Sequence, residues 1–253
     1  MSSCKIVFSP TGGTEKVLDV LSGELGDKFV KVDISDSKTK FENIILSKED
    51  IALVAVPSYS GRVPAVAVER LSRIRGNGAK AVLVCVYGNR AFEDTLVELY
   101  DCVTASDFRV VAAVAAIAEH SIARKYASGR PDMEDAGRLK SFAQAIREKI
   151  ASEDYSVPEL PGNRPYRKPG NLSIVPKVTS GCTECGICAF KCPVGAIDKE
   201  HPSKVDKKLC ISCMRCVAVC PHNARKIDAL HRVAADFMLK KVCHTRKECE
   251  LFI

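Results

Sequence analysis

Two stretches of the sequence, which start 28 residues apart, determine how the C-terminal third of the chain is built: Cys182-Thr-Glu-Cys185-Gly-Ile-Cys188-Ala-Phe-Lys-Cys192-Pro193 and Cys210-Ile-Ser-Cys213-Met-Arg-Cys216-Val-Ala-Val-Cys220-Pro221. We call them the first and second cysteine runs. Both follow the pattern C-x2-C-x2-C-x3-C-P, and this internal repeat predicts a small pseudo-symmetric module. The module has few large apolar residues, so we expect it to need bound metal in order to fold.

The two cysteine runs hold eight of the 13 cysteines in the chain. In a reducing compartment, such cysteine usage favours metal binding or catalysis over disulfides. The spacing is that of iron–sulfur proteins, in which three closely spaced cysteines let one loop surround a [4Fe–4S] cubane. Zinc is the alternative. Zinc sites usually pair two separated C-x2-C units around one tetrahedral ion, and two tandem four-cysteine runs fit that pattern poorly.

Both runs resemble the bacterial two-cluster ferredoxins over about 50 residues, with no departure at any ligand position. The resemblance implies that the fourth cysteine of each run turns away at the proline and reaches the other cluster. One cluster would then be held by Cys182, Cys185, Cys188 and Cys220, and the other by Cys210, Cys213, Cys216 and Cys192.

The charged residues around the two runs differ. The second run contains Arg215 and is followed by His222, Arg225 and Lys226, whereas the first contains Glu184 and Lys191. Nearby positive charge favours the reduced, more negative state of a cluster. We therefore expect the second cluster to have the higher reduction potential.

Upstream of the runs, residues 1–153 alternate between strand-like and helix-like stretches. The strand-like stretches are short, apolar and rich in Val, Ile and Ala, as in parallel strands that are buried on both faces. The alternation predicts a doubly wound, five-stranded α/β sheet. The predicted strands are Lys5–Phe8, Phe29–Asp33, Ile51–Pro57, Ala79–Val86 and Arg109–Ala115, and the predicted helices include Thr14–Leu25, Phe92–Val103 and Met133–Ile150.

The segment Ser9-Pro10-Thr11-Gly12-Gly13-Thr14 lies between the first predicted strand and the first predicted helix. Its glycines let the backbone approach an anion, while free N–H groups and the helix dipole favour a phosphate there. The segment has no Lys and is not a Walker A motif. It also lacks the G-x-G-x-x-G pattern, which argues against a dinucleotide. The alternative is an ordinary strand–helix turn in which Ser or Thr caps the helix.

The same segment resembles the phosphate loop of the flavodoxins, S/T-x-T-G-x-T, at Ser9, Thr11, Gly12 and Thr14. The strand count and domain length also agree with that family, which implies a flavodoxin-like fold and bound FMN. Two further loops would hold the isoalloxazine ring. Many flavodoxins flank that ring with Trp, which this chain lacks. The corresponding loop residues here are Ser58, Tyr59, Ser60 and Gly61 after the third strand, and Tyr87, Gly88 and Asn89 after the fourth.

The resemblance also implies roles for individual residues. Tyr59 would stack on the ring, Gly61 and Gly88 would offer backbone N–H groups, and Asn89 would hydrogen-bond the ring edge. His120 follows the fifth strand and is a candidate for flavin contact or proton donation; the alternative is a structural or solvated histidine. Of the remaining cysteines, Cys4, Cys85 and Cys102 are expected to pack as small hydrophobes, while Cys243 and Cys249 have no evident partner set.

A proline-rich stretch separates the two predicted domains. Pro158, Pro161, Pro165 and Pro169 fall within twelve residues. Such composition predicts an extended, semi-rigid linker over residues 154–175, with its charged residues in solvent. The ferredoxin-like module then covers residues 176–228. Residues 229–253 begin with a helical pattern and end in a mixed-charge tail.

The two resemblances together imply a flavodoxin–ferredoxin fusion, a type of protein found mainly in anaerobic bacteria and archaea. A tether raises the effective concentration of one redox centre at the other. We therefore expect an electron-transfer protein that moves electrons between two [4Fe–4S] clusters and FMN. The alternative is a flavin-dependent reductase that passes hydride to a small molecule, with Arg62, Arg90 and His120 binding or protonating it.

Charge and hydropathy bear on partners and location. The formal net charge of +7 would be largely offset by two clusters and a flavin phosphate, so we expect no nucleic-acid partner. No apolar run is long enough to cross a membrane, and a strand-like segment begins almost at the first residue, so we expect no signal peptide and a cytoplasmic location. A homodimer remains open. We expect redox partner proteins such as small ferredoxins to dock on the basic tail and linker, at Arg225, Lys226, Lys240, Lys241, Arg246 and Lys247.

Overall fold

The computed structural model describes residues 3–26, 28–170 and 174–253. Its first part contains all five strands that the sequence predicts, each within two residues of its predicted ends. These strands are β1 (Cys4–Val7), β2 (Val30–Asp33), β3 (Ile51–Pro57), β4 (Lys80–Tyr87) and β5 (Arg109–Ile117). The helices that connect and follow them are α1 (Gly13–Leu25), α2 (Ala65–Leu71), α3 (Thr95–Ala105) and α4 (Met133–Ala151).

The five strands form a parallel sheet in the order β2-β1-β3-β4-β5. This is the order of the flavodoxin-like doubly wound fold, in which ligands bind at the carboxyl edge of the strands between β1 and β3. The central strands β3, β4 and β5 are almost wholly buried. Burial on both faces explains why their sequences are continuous apolar runs rather than alternating ones.

A sixth strand joins this sheet from the far end of the chain. Strand β8 (Glu250–Phe252) pairs antiparallel with β5, with Leu251 opposite Val114. The sequence predicts only a mixed-charge tail here, because a strand of three residues is too short to show an alternating pattern. The tail therefore returns to the first domain and covers what would otherwise be an exposed sheet edge.

The cysteine runs fold as a pseudo-symmetric pair. Helices α5 (Ile187–Phe190) and α6 (Arg215–Ala218) occupy equivalent positions in the two runs, and strands β6 (Lys177–Val178) and β7 (Arg225–Lys226) pair antiparallel. The backbone repeats as well. Glu184 and Ser212, at equivalent positions, have φ angles of 53° and 54°. Each run therefore forms the same left-handed turns around its cysteines, and the sequence repeat is a structural repeat.

The proline-rich linker is bound to the first domain rather than solvated as expected. The backbone N–H of Asn163 donates to one carboxylate oxygen of Asp94 at 2.9 Å, and that of Arg167 donates to the other at 2.7 Å. Arg164 forms a bidentate ion pair with Asp101 at 2.8 and 2.5 Å. The charged linker residues thus have defined partners on α3 and on the loop before it. Residues 171–173 of the linker lie outside the described residues.

Helix α7 (Ala229–Lys240) follows the second run and buries only two of its side chains. Its buried residues are Ala235 and Leu239, and Leu239 packs with Ala123 and Cys243. The apolar residues of the predicted helical pattern face outward instead. Within the residues that the structure describes, neither this helix nor any other has the length and apolar character needed to cross a bilayer.

Candidate redox-centre sites

Two cavities lie within the cysteine module, and the two runs share in lining both. The first cavity has a volume of about 330 Å³. It is open to solvent at Cys185, which is exposed. Its wall includes three cysteines of the first run and the last cysteine of the second run: Cys182, Cys185, Cys188 and Cys220.

The second cavity has a volume of about 380 Å³ and is lined by the other four cysteines. Cys213 is buried at its inner side, with 8% of its surface exposed. The structure therefore groups the cysteines three-plus-one in both cavities, with the fourth cysteine of each run reaching across. The cysteines of this second set are Cys192, Cys210, Cys213 and Cys216.

The thiols surround these cavities instead of meeting at one point. Across residues 3–26, 28–170 and 174–253, no three His, Cys, Asp or Glu side chains are close enough together to hold one metal ion. A zinc ion would require four sulfurs within about 2.3 Å of a single centre. The crossed three-plus-one grouping of the cysteines is the ligand pattern that the ferredoxin resemblance predicts.

Arg225 lines both cavities and is 2% exposed. Its guanidinium donates to Cys188 Sγ at 3.6 Å, to the carbonyl of Pro176 at 3.3 Å, and to the carbonyl of Pro202. A buried cation here offsets negative charge in either cavity. The sequence predicts that positive charge favours reduction of the second cluster alone, but Arg225 also contacts Cys188, which lines the first cavity.

The thiols of the two cavities differ in electrostatic environment. Burial raises the pKa of the Cys213 thiol to about 12. Burial also raises the pKa of Cys216 to about 11, against the lowering effect of the Arg225 charge. Cys220 behaves differently: burial raises its pKa, but backbone N–H groups, including Ala224 N at 3.2 Å from Sγ, together lower it overall. Ionising Cys213 or Cys216 therefore costs more than ionising Cys220 in the absence of bound metal.

The second cavity lies against the first domain. Arg215 Nη1 donates to the carbonyl oxygens of Ser9 and Pro10, each at 3.1 Å. In the opposite direction, Arg70 of α2 donates to the carbonyl of Pro193. Among the residues described, the wall of the first cavity makes no hydrogen bond to the first domain. The second cavity is thus the inner one and the first cavity the outer one.

The phosphate loop predicted between β1 and α1, residues 9–14, has features of both alternatives considered for it. Ser9 is buried, its N–H donates to Ser35 Oγ at 2.8 Å, and its Oγ accepts from Glu15 N at 3.0 Å, so Ser9 caps α1. The backbone N–H groups of residues 11–14, however, donate to no group among the described residues. Four neighbouring unpaired N–H groups at the start of a helix form an anion-binding arrangement.

The loop after β3 is a tight turn in which Tyr59 and Arg62 exchange backbone hydrogen bonds. Ser60 and Gly61 have φ angles of 53° and 79°, as a type I′ turn requires. A Cβ atom on Gly61 would lie 1.8 Å from Glu93 Oε2, so only glycine fits there. Burial, together with the nearby Cys213 charge, raises the pKa of the Tyr59 hydroxyl well above its ordinary value. Tyr59 therefore lies beside the inner cavity.

The loops after β4 and β5 differ from the sequence expectation. The Asn89 side chain donates to the carbonyls of Cys243 and Thr245 at 3.0 and 2.8 Å and accepts from Lys247 N at 3.0 Å. All of its polar atoms thus anchor the C-terminal tail, and none is left for a flavin edge. Tyr87 is also buried, with its ring 5.3 Å from that of Phe92. Only a structure could reveal the Asn89 contacts, because they join residues more than 150 positions apart.

His120 is a structural residue in this arrangement. Its Nδ1 accepts hydrogen bonds from the backbone N–H groups of Ile122 and Ala123, each at 3.2 Å. Burial, followed by the charge of Arg90, lowers its pKa to about 4. A Cβ on Gly88 would lie 2.6 Å from the imidazole, so the glycine serves the packing of that ring. The Nδ1 atom of His120 thus has a structural role, and the role of His120 in flavin contact or proton donation stays a prediction.

Comparison with known proteins supports these observations. Residues 181–225 match the family described as the 4Fe-4S dicluster domain. A 51-residue segment is 43% identical to a ferredoxin-like protein in the nif region of Rhizobium leguminosarum bv. trifolii, covering 17% of this chain and 80% of that protein. Through this segment the chain belongs to the dicluster ferredoxins. The NrfC homolog of Haemophilus influenzae is 47% identical over 58 residues, which are 21% of this chain and 26% of that protein.

The first domain resembles solved flavodoxins. One of them, a Fusobacterium nucleatum flavodoxin bound to flavin mononucleotide, is 20% identical and matches 59% of this chain and 99% of its own, with a TM-score of 0.41. The fold assignment itself rests on the strand order and on the continuous burial of the central strands. The chain is therefore a flavodoxin-like domain fused to a dicluster ferredoxin segment.

The cysteines outside the ferredoxin segment are packed in the interior. Cys4 and Cys85 lie in the core of the first domain, and burial raises the pKa of Cys4 to about 12. Cys102 is partly buried against the same core. Cys243 and Cys249 belong to the C-terminal tail and are buried, and Cys249 Sγ lies 3.6 Å from Asp135 Oδ1.

Three of the six basic residues proposed for partner docking have partners within the protein. Arg225 lies between the cavities, Arg246 pairs with Asp132 at 2.7 Å, and Lys247 donates to the carbonyl of Arg90. These three hold the fold of the ferredoxin segment and the tail. Lys226, Lys240 and Lys241 are exposed.

Proposed function

We propose that the protein holds two [4Fe–4S] clusters and FMN and passes electrons between them. The observation that carries this proposal is the seating of the second cysteine run on the phosphate loop, through the hydrogen bonds from Arg215 to Ser9 and Pro10. When bound, iron–sulfur clusters exchange single electrons and FMN exchanges one or two. The chain's own contribution is to fix the two kinds of site against each other.

The proposed cluster ligands are the two crossed cysteine sets that line the cavities. Eight thiolates in so small a module need compensating charge and donors. Arg225 supplies a cation to both cavities, and the backbone N–H of Ala224 donates to Cys220 Sγ. Hydrogen bonds to cluster sulfurs are among the features that set reduction potential.

The residues around the phosphate loop fit the phosphate of FMN. Four unpaired backbone N–H groups at the start of α1 match a phosphate's several acceptors, and Gly12, with a φ of 88°, provides the left-handed turn that exposes them. In this proposal the ring lies near the turn of residues 58–61, with Tyr59 beside it. Asn89 is left out because all of its polar side-chain atoms are used within the protein, and His120 because its Nδ1 accepts from the backbone of Ile122 and Ala123.

The reductase alternative has less support. It needs cationic or acidic groups that are free to bind a substrate. Arg62 instead forms a bidentate pair with Glu98, with both N–O distances at 2.7 Å. Arg90 pairs with Glu93 at 2.5 Å. Since these groups and His120 all have internal partners, the geometry favours an electron carrier.

An anaerobic redox titration followed by optical and EPR spectra tests the proposal. The expected preparation contains about eight iron and eight sulfide per chain, as two [4Fe–4S] clusters require, and one FMN. Cluster and flavin signals should change reversibly and exchange electrons within one molecule, at a rate independent of protein concentration. Zinc in place of iron and sulfide, or an absence of FMN that added FMN does not restore, would contradict it.

We also propose a redox protein as the external partner, docking near the exposed lysines 226, 240 and 241. Complementary charge accelerates encounter and makes the rate depend on ionic strength. Electron exchange with an acidic ferredoxin should therefore slow as salt is added. A rate that does not change with salt would argue against this docking surface.

A further inference from the structure

Arg215 belongs to two sites at once. It lies between Cys213 and Cys216, its side chain lines the inner cavity, and it begins helix α6. Its Nη1 donates to the carbonyls of Ser9 and Pro10 in the phosphate loop, each at 3.1 Å. Its Nε is buried and has no hydrogen-bond acceptor among the described residues. One side chain therefore touches both candidate cofactor sites.

The hydrogen bonds of Arg215 determine which way the phosphate loop faces. A trans peptide directs its C=O and its N–H in opposite directions. The carbonyl of Pro10 and the N–H of Thr11 belong to the same peptide. When Arg215 holds that carbonyl on the ferredoxin side, the N–H of Thr11 points away from it, toward the start of α1. Ser9 is fixed on the same side by Ser35 and Glu15, so Arg215 supplies the remaining constraint on the entry to the loop.

We propose that Arg215 is a positioning residue for the phosphate of FMN: it holds the loop of residues 9–14 so that the N–H groups of residues 11–14 stay free for the anion. The inference rests on the proposed function and extends it. It makes flavin binding by the first domain depend on a residue of the second cysteine run. The two cofactor sites are then coupled through one side chain, and such coupling acts in both directions.

A competing explanation is that Arg215 only fastens the two domains together. Arg70 provides a matched control, because it also crosses the interface and donates to the carbonyl of Pro193. Its other hydrogen bond goes to the carbonyl of Ile34 at 2.7 Å, and it makes none to the phosphate loop. An effect of interface loosening would appear in both variants, whereas an effect on the loop would appear only at Arg215.

The test uses the full chain with its clusters in place, stripped of flavin and titrated anaerobically with FMN and with riboflavin, which lacks the phosphate. Arg215→Met should raise the Kd for FMN about tenfold, since two hydrogen bonds from a charged donor are lost. It should leave the Kd for riboflavin unchanged. Arg215→Lys keeps the charge without the planar fork and should give a smaller rise in the Kd for FMN. Arg70→Lys should leave the ratio of the two Kd values unchanged.

Iron and sulfide content shows that each variant retains its clusters; if Arg215→Met does not, Arg215→Lys carries the test. The inference is overturned if the Arg215 variants bind FMN as tightly as the parent protein. It is also overturned if riboflavin binding weakens equally, or if the Arg70 variant changes the ratio to the same extent. If the parent protein itself binds no FMN, the proposed function fails, and that outcome is distinct from a change confined to the variants.

Discussion

At equivalent positions of the repeat, the first cysteine run has Ile187 and the second has Arg215. Ile187 is 40% exposed at the outer cavity, whereas Arg215 reaches the phosphate loop of the other domain. The residues before them differ in the same way. Gly186 and Met214 have φ angles of 72° and 60°, but Met214 is 2% exposed. A left-handed conformation is costly for a residue with a side chain, so the burial of the Met214 side chain must offset that strain.

This comparison shows where the two halves of the repeat diverged. The cysteines and the backbone turns are the same in both, so each half keeps what a cluster requires. The differences are concentrated where the second half meets the first domain. We infer that the inner cavity is built to face the flavin site and the outer cavity to face solvent and partners.

The largest predicted effect comes from removing the crossing cysteines one at a time. Cys192→Ser removes a wall residue of the inner cavity, and Cys220→Ser removes one of the outer cavity. Each variant should lose one cluster, so that iron falls from about eight to about four per chain. Reduction of FMN by a small one-electron donor, followed by stopped flow, should slow about 100-fold in Cys192→Ser, because the inner centre is no longer held beside the flavin.

In Cys220→Ser the same rate should fall less than about tenfold, since a small donor can still reduce the inner cluster directly. The two variants control for each other, because both replace a run's last cysteine next to a proline. The opposite pattern, with Cys220→Ser the more damaging variant, would mean that the ligand sets are not crossed.

A second prediction concerns His120 in the loop after β5, which lies outside both cysteine runs. His120 has its pKa lowered to about 4, while a histidine in the unfolded chain titrates near 6.5. The unfolded state therefore binds more protons in this interval. The stability contribution is fully present above pH 6.5 and is lost as the pH falls toward 4. Between pH 7.5 and pH 5 the free energy of unfolding should drop by about 2 kcal/mol from this group.

His120→Asn is the matched variant, because an amide oxygen can still accept from the N–H groups of Ile122 and Ala123 but does not titrate. Urea unfolding followed by circular dichroism at the two pH values should show a smaller drop in the variant. FMN affinity should be unchanged. Full pH dependence in the variant would show that His120 does not cause the drop, and loss of FMN binding would show that His120 takes part in the flavin site.

The third prediction separates the two buried arginines by their reduction potentials. Arg225 lines both cavities and Arg215 only the inner one. A unit charge about 10 Å from a cluster in a medium of dielectric constant about 20 contributes roughly 70 mV. Arg225→Gln should therefore lower both cluster potentials and Arg215→Gln only one. EPR-monitored titrations measure this, with exposed Lys226→Gln as the control that should move neither. Equal shifts in both arginine variants would remove the distinction between the cavities.

The sequence predicts the parts of this molecule that repeat a local pattern. Five apolar stretches predict five strands, and cysteine spacing predicts the cluster module, because both signals are short-range. The resemblance of residues 9–14 to a phosphate loop rests on the same kind of short-range signal. What the sequence misses are contacts between distant segments: β8 on β5, Asn89 with the tail, and Arg225 between the cavities. A polar residue such as Asn89 looks free in a loop sequence until a remote segment is placed against it.

The smallest predicted effect tests whether the phosphate loop beside the inner cavity binds the phosphate of FMN. Gly12 and Gly26 flank α1 with φ angles of 88° and 82°, and a Cβ on either meets no atom within 4 Å. Replacing either with Ala should lower the free energy of unfolding by about 1 kcal/mol, because both positions are left-handed. Only Gly12→Ala should also weaken FMN binding, by several-fold, since relief of that strain turns N–H groups away from the anion.

Gly26→Ala controls for strain alone, because the two sites share backbone conformation and open surroundings. If both variants, measured by urea unfolding and flavin titration, lose stability alike and bind FMN alike, the loop is only a helix cap and the inner cavity has no flavin phosphate beside it.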